Sequence, residues 1–332
     1  MQTEHVGVVS GLADLANFLA AQRRCAGNDG ERIRIVLFGQ GGSLPKQLRS
    51  EFDKVVAAAF PGYTQTTIPS ELVGRERFDD ARAGGLGLEK TGRRIVYGNQ
   101  IHKPFHLSFY RYLEPDEFVF FDNGLSSYWP HETDIRADFA AYGLAFPTRA
   151  YLSLHPPLPI PGYLADAPPA TLARADYDDA YRAMKARARQ KPRDNVLPAH
   201  LIIGTSLFRT NHIAWEEERA LYMDLVAALR RRSDQPILFK THPRAVARPL
   251  VTAADGVDVL DTIVPIEAFA HPKSNGFAYS IASTSLITLQ KYYGFTPYRL
   301  DSPAVRRVAE RMRHLDLTRN VSVFSDVKNS ES

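Results

Sequence analysis

RRIVYGNQIHKPFHLSFYRYLEPDEFVFFDNG, residues 93–124, sets two short apolar runs, RRIVYG (93–98) and EFVFFD (117–122), on either side of an aromatic-rich segment, HLSFYRYL, that reads as a helix. Short apolar runs alternating with helices imply a parallel sheet covered on both faces. The same alternation extends outward. Toward the N-terminus, His5-Val6-Gly7-Val8-Val9 precedes a helical pattern at Leu12, Leu15, Phe18 and Leu19, and IRIVLFG (33–39) precedes a helix running to about Ala59.

Toward the C-terminus the composition changes around 145–170, where LHPPLPIPGYLADAPPATL is rich in proline, a residue that suits neither helix interiors nor central strands. A basic helix over about 174–189 then leads into a second alternating series. It comprises HLIIGTS (200–206), a long helix (about 215–232), PILFKTHPR (236–244), VDVLDT (257–262), GFAYSIAS (276–283) and a helix from about 285. The expectation is an α/β chain with an N-terminal Rossmann-like domain over 1–150, a connecting segment over 151–195 and a C-terminal Rossmann-like domain over 196–332.

The chain has 332 residues, 44% hydrophobic and 23% charged, which supports proper cores rather than disorder. A formal charge of +4 comes mostly from arginine clusters such as Arg230 to Arg232 and Arg306, Arg307, Arg311 and Arg313. Such an excess suits anionic small ligands, acidic glycans or a lipid surface, or a solvated helix face, and falls short of a nucleic-acid coat. The lone Cys25 excludes an internal disulfide framework and fits a reducing compartment. MQTEHVGVVSGLADLANFLAA lacks the features of a signal peptide, and no apolar stretch reaches the roughly 20 residues a spanning helix needs. A cytoplasmic location without a transmembrane helix is expected.

Ligands of parallel sheets bind beyond the carboxyl ends of the strands, where helix N-termini point their amides outward. Four polar signals fall at such places: Asp122-Asn123-Gly124, Gly204-Thr205-Ser206, Thr241-His242-Pro243-Arg244 and Ser283-Thr284-Ser285. Each has a plainer reading when taken alone. DNG makes an Asx-turn, GTS a tight turn, His242 a histidine satisfied by a backbone carbonyl, and the serines an N-cap. Together, hydroxyls and amides at a helix N-terminus make a cradle for phosphate, with Lys240, His242 and Arg244 as sources of protons or charge. A carboxylate on the other domain could then deprotonate an incoming hydroxyl.

In this order FDNG, KTHPR and STS resemble the three short motifs of bacterial sialyltransferases: an acidic pair followed by glycine, a His-Pro, and a Ser-Ser/Thr pair. VYGNQIHKP, IIGTSLF, WEEERALY and VPIEAF resemble the polysialyltransferase and lipooligosaccharide sialyltransferase group in particular, over roughly residues 93–295. The resemblance implies a GT-B-like fold, two Rossmann-like domains with parallel sheets facing a central cleft. It also implies a metal-independent, inverting transfer of a nonulosonic acid from CMP to a glycan or lipid-linked glycan, with no cofactor beyond the CMP-sugar donor.

In that scheme Asp122 is the general base and His242 assists the departing phosphate. Ser283, Thr284 and Ser285 hold the phosphate, Glu267 of Pro265-Ile266-Glu267 contacts the ribose, and Gly204, Thr205 and Ser206 line the cytidine pocket. Lys240 and Arg244 are anion partners; Asn99, Gln100, His102, Asn123 and Gly124 are acceptor-side candidates. Asn123 stands where that family usually has a second acid. Sialic acid, Kdo, legionaminic and pseudaminic acid are all open as the transferred sugar. So are a UDP- or GDP-sugar enzyme and a non-catalytic nucleotide- or glycan-binding protein.

GQGGSLP (39–45) lacks GxGxxG spacing and reads as a glycine-rich turn. Pro104 between His102 and His106 argues against a helical metal face, so no metal site is expected. Val305, Val308, Met312 and Leu315 share one side of a helix that also carries arginines. That side either packs on the core or makes a peripheral membrane contact.

Overall fold

The computed structural model describes residues 2–25, 31–38, 46–69, 72, 78, 85–128, 134–167, 169–193, 196–245, 247–272, 274–311 and 321–324. GQGGSLP, Met312 and Leu315 lie outside the described residues. The chain divides into two units, residues 1–187 and 188–332.

In the first unit, β1 (Thr3–Val9), α1 (Leu12–Cys25), β2 (Arg32–Phe38), α2 (Lys46–Ala59), β3 (Thr64–Ile68), β4 (Arg93–Gly98), α3 (Pro104–Tyr112) and β5 (Glu117–Phe121) come first. They are followed by α4 (Ile135–Ala141), β6 (Arg149–Leu152), β7 (Pro169–Thr171) and α5 (Arg174–Arg187). Among the described residues the strands form one seven-stranded sheet in the order β3-β2-β1-β4-β5-β6-β7, every pairing parallel. Central strands β1, β4 and β5 carry the apolar runs because helices cover both their faces. Gly7 lets α1 lie close on β1: a Cβ there would stand 2.3 Å from the Phe18 ring.

The segment expected to connect the two domains is largely built into the first unit. It supplies β6 and β7 to the sheet, and α5 docks on α1, where the Tyr177 hydroxyl donates to Asn17 Oδ1 at 3.0 Å. Arg24 also pairs with Asp176 at 2.7 Å. Proline is tolerated there because β7 is an edge strand that starts with Pro169, whose missing N–H costs no central ladder bond. The unit boundary therefore falls after Arg187.

The second unit contains β8 (His200–Ile203), α6 (Trp215–Arg232), β9 (Ile237–Lys240), β10 (Asp258–Leu260), β11 (Phe277–Ser280), α7 (Thr284–Tyr293), β12 (Thr296–Leu300), α8 (Pro303–Arg311) and β13 (Ser322–Phe324). Among the described residues its six-stranded parallel sheet runs β10-β9-β8-β11-β12-β13. Tyr222 and Leu225 of α6, Phe239, Tyr279 and Leu300 share one core with Val305 and Val308 of α8. The apolar side of α8 is thus spent on the core, and Arg306 and Arg307 are its solvated face. No helix among the described residues is long and apolar enough to cross a membrane.

One buried ion cluster ties β1, β2 and β4 together. Glu4 Oε1 accepts from Arg34 Nε at 2.9 Å and Oε2 from Arg94 Nε at 2.8 Å. Arg94, only 1% exposed, also donates to the Leu113 and Glu89 carbonyls. Burial alone would raise the Glu4 pKa, but the hydrogen bond from Arg34 and the charge of Arg94 outweigh it and hold the carboxyl below its ordinary value. Glu4→Ala leaves two buried guanidinium groups without their partner, and should lower the unfolding free energy by roughly 3–5 kcal/mol in urea titration at pH 7. Because the folded pKa is depressed, the contribution is full above the ordinary carboxylate range and lost as pH falls through the folded value. The gap between wild type and Glu4→Ala should therefore narrow on acidification.

Candidate active site

A parallel sheet built outward in both directions from its first strand opens a crevice at the reversal point. In the second unit that point lies between β8 and β11. Gly204-Thr205-Ser206 follows β8 and Ser283-Thr284-Ser285 follows β11. Thr241 to Arg244 leave β9 one strand away, and Pro265 to Glu267 follow β10. Four sequence-predicted groups thus emerge from the same edge of one sheet.

Gly204 is there for close approach. Its amide donates to the Lys240 carbonyl at 2.9 Å, and a Cβ would meet the Phe239 ring at 2.8 Å. The next turn is held from below by a residue that sequence reading passed over as part of a glutamate-rich helix. Glu218 of α6 is fully buried, accepting from Thr205 Oγ1 at 2.5 Å, Leu207 N at 3.3 Å and Phe208 N at 2.8 Å. Burial pushes the Glu218 carboxyl up, against these three donors. Tyr222 adds a hydroxyl contact to Thr205 Oγ1 at 3.0 Å and accepts from its amide at 3.0 Å. Thr205 accordingly shapes the loop, and Ser206, at the start of the following turn, has no side-chain capping bond.

His242 is half-buried at the end of β9. The Arg244 amide donates to its Nδ1 at 3.1 Å, so the neutral ring carries its hydrogen on Nε2. Crowding by surrounding atoms, then the positive charges of Arg244 and Lys240, push its pKa down to about 3. At neutral pH His242 is therefore a hydrogen-bond donor without charge. Lys240, expected as an anion partner, is buried and donates to the Thr241 carbonyl at 2.8 Å and to the Thr262 carbonyl. It ties two loops together because strand β9 points its stem inward. The half-buried Arg244 guanidinium has no ion pair or hydrogen bond among the described residues. Ser283 caps α7, its Oγ accepting from the Ser285 amide at 3.2 Å, which leaves the hydroxyl hydrogen to donate elsewhere. Glu267 accepts from Thr288 Oγ1 at 2.5 Å and so braces the same helix.

In the first unit the reversal point lies between β1 and β4. Asn99 and Gln100 follow β4 and are buried, Asn99 Nδ2 without a partner among the described residues; His102 is half-buried. After β1, Asp14 accepts from the Ser10 amide at 3.0 Å. Asp122 follows β5 and does not face solvent, as a cleft residue would; it is 0% exposed. Its carboxylate turns toward the end of β6 because donors are gathered there. Tyr128 Oη lies 2.6 Å from Oδ2, Ser153 N 2.8 Å, Ser153 Oγ 2.9 Å and Leu154 N 3.2 Å. Burial pushes the Asp122 carboxyl up, and these donors pull against it.

Asn123 caps the short 3-10 turn Leu125–Tyr128. Its Oδ1 accepts from Ser126 Oγ at 3.0 Å and Ser127 Oγ at 2.9 Å, while Gly124 takes φ +107°, a conformation that favours glycine. Tyr128 and Ser153 were not singled out from sequence. SSY, one residue after DNG, was the available signal for the first, and nothing local marked the second.

Among the described residues no group of three or more His, Cys, Asp or Glu could hold a metal ion. A cavity of about 390 Å³ lies at the opposite edge of the second sheet, lined by Arg230, Gln235, Gly256 and Asp258, away from all four motif loops.

Residues 184–300 of the chain match the model of the alpha-2,8-polysialyltransferase family. The match covers the loops after β8, β9 and β11 and bears out the resemblance to bacterial sialyltransferases. The protein's class is that of a glycosyltransferase, which implies an activated-sugar donor and a glycan acceptor. The two all-parallel α/β units agree with the GT-B-like expectation. Solved structures similar to the chain include the GT-B domain of a sialyltransferase from Photobacterium damselae (11% identity, TM-score 0.48, covering 98% of each chain). The calicheamicin glycosyltransferase CalG4 matches at 13% identity and TM-score 0.44, covering 97% of this chain and 85% of that one. Phytolacca americana UGT2, complexed with UDP-2-fluoroglucose and pterostilbene, matches at 9% identity and TM-score 0.45, covering 94% and 84%. A comparison with curated proteins found no match.

Replacing Glu218 by alanine strands a hydroxyl and two amides in a buried place. Glu218→Ala should lower the unfolding free energy by roughly 3 kcal/mol in urea titration, and Glu218→Gln by less, since one carbonyl acceptor remains.

Proposed function

We propose that the protein transfers a nonulosonic acid, sialic acid or a close relative, from its CMP donor to a hydroxyl of a bacterial surface glycan. The transfer inverts the anomeric carbon and needs neither a metal ion nor a cofactor. The observation that carries this reading is the pairing of neutral His242 with Arg244, whose guanidinium has no partner among the described residues, within the segment that matches the family. One uncharged donor, one guanidinium and the α7 serine hydroxyls suit a nucleoside monophosphate, which brings less charge than a diphosphate.

In this mechanism the acceptor O–H bond breaks as its oxygen attacks the anomeric carbon from the face opposite the phosphate. The carbon–oxygen bond to the phosphate breaks in turn, and its electron pair leaves with CMP. The proton goes to Asp122, whose raised pKa makes it a stronger base than an ordinary carboxylate. Nε2–H of His242 and the hydroxyls of Ser283 and Ser285 hold the departing phosphate by hydrogen bonds. Glu267 lies beyond β10 for the ribose, and the turn at Gly204 to Ser206 is the wall for the base. Asn99, Gln100 and His102 remain the acceptor-side candidates, whereas Asn123 and Gly124 act through the turn they cap.

Calorimetric titration with CMP, with UDP and GDP as controls, tests the donor class. Selective CMP binding supports the reading, and binding of UDP or GDP instead of CMP rejects it. Asp122→Asn should abolish transfer from a CMP-sugar while CMP affinity is kept. His242→Ala should weaken CMP binding by about ten- to hundredfold, the range for a hydrogen bond to a charged group. Transfer should fail as pH drops through the Asp122 pKa, above the ordinary carboxylate range, because only the ionised base accepts the proton.

A further inference from the structure

The Asp122 carboxylate is held unequally. All four donors in reach converge on Oδ2, while Oδ1 is buried and has no hydrogen-bond partner among the described residues. Glu4 and Glu218, which brace the fold of this same chain, take donors on both oxygens. Resting on the base role proposed above for Asp122, we propose that Tyr128 and Ser153 are positioning residues: they saturate Oδ2 so that Oδ1 takes the acceptor's proton.

The orientation of the Tyr128 hydroxyl follows from its neighbours. The Leu154 amide donates to the phenol oxygen at 3.0 Å, so the phenol hydrogen is left to point at Asp122. The turn that delivers Tyr128 is fixed at both ends, by the Asn123 cap and by Tyr163, whose hydroxyl donates to the Ser127 carbonyl at 2.5 Å. Asn17 of α1 holds the Asp122 main-chain carbonyl at 2.7 Å and pins the strand end. Asn123, standing where an acid is usual in the resembled family, accepts the same hydroxyls an aspartate would accept while adding no negative charge beside Asp122. The titratable groups facing Asp122 are the phenols of Tyr128 and Tyr163, and no cation pairs with it among the described residues.

The test is a carbon-13 NMR pH titration of the full chain labelled at aspartate carboxyls, with the Asp122 signal assigned by its loss in Asp122→Asn. A hydrogen bond to the ionised form lowers a pKa, so its removal raises it. Tyr128→Phe should move the Asp122 midpoint up by about one unit, Ser153→Ala should move it up by less, and CMP affinity should stay unchanged in both. The acid limb of any measurable CMP-sugar turnover should move by the same amount. A Tyr128→Phe protein that melts earlier but titrates like wild type would show a merely structural tyrosine and overturn the proposal. Ser153→Ala decides in the same way if Tyr128→Phe fails to fold. Turnover retained in Asp122→Asn would instead reject the base role itself, an outcome separate from the titration.

Discussion

Every strand pairing among the described residues of both sheets is parallel, and that constraint decides where loops and functional groups can sit. Parallel neighbours cannot be joined by tight hairpins, so each connection must cross a face as a helix or a long loop. All strands therefore release their carboxyl ends at one edge, and residues far apart in sequence arrive there together. Gly204, His242 and Ser283 are neighbours for this reason. In the first unit, the same rule puts Asn99 and Asp122 at the ends of adjacent strands β4 and β5.

Buried carboxylates then stabilise those edges. Glu218 gathers the amides and hydroxyl of the loop after β8, Glu267 braces α7, and Asp14 binds the turn after β1. Each offsets its desolvation with donors, backbone amides for Glu218 and Asp14 and a threonine hydroxyl for Glu267. In Asp122 four donors crowd one oxygen, while the other is buried without a partner among the described residues.

The central strands were legible in the sequence because they are buried on both faces and read as unbroken apolar runs. Strand ends were legible for the same reason, since polar residues at the end of such a run have few structural uses. Edge strands were not. β3, TQTTI, is polar and half-exposed, and β7 is three residues starting with proline, so neither carries the apolar signature. The proline-rich stretch consequently looked like a linker, when its flanks complete a sheet. Roles that depend on contacts far along the chain were also hidden. The Lys240 ammonium turns to the Thr262 carbonyl and Ser153 reaches Asp122 across a strand, and no local pattern encodes either.

The two borders of the first sheet have a consequence of their own. An outermost strand shows an unpaired row of amides and carbonyls, which invites any passing chain to add itself. Here one border is a threonine- and glutamine-rich strand whose alternate side chains prefer water, and the other opens with a residue that has no amide hydrogen. Neither border rewards a visiting strand with apolar contacts and a full ladder. Among the described residues the sheet thus ends on strands whose composition disfavours pairing with a second copy of the chain.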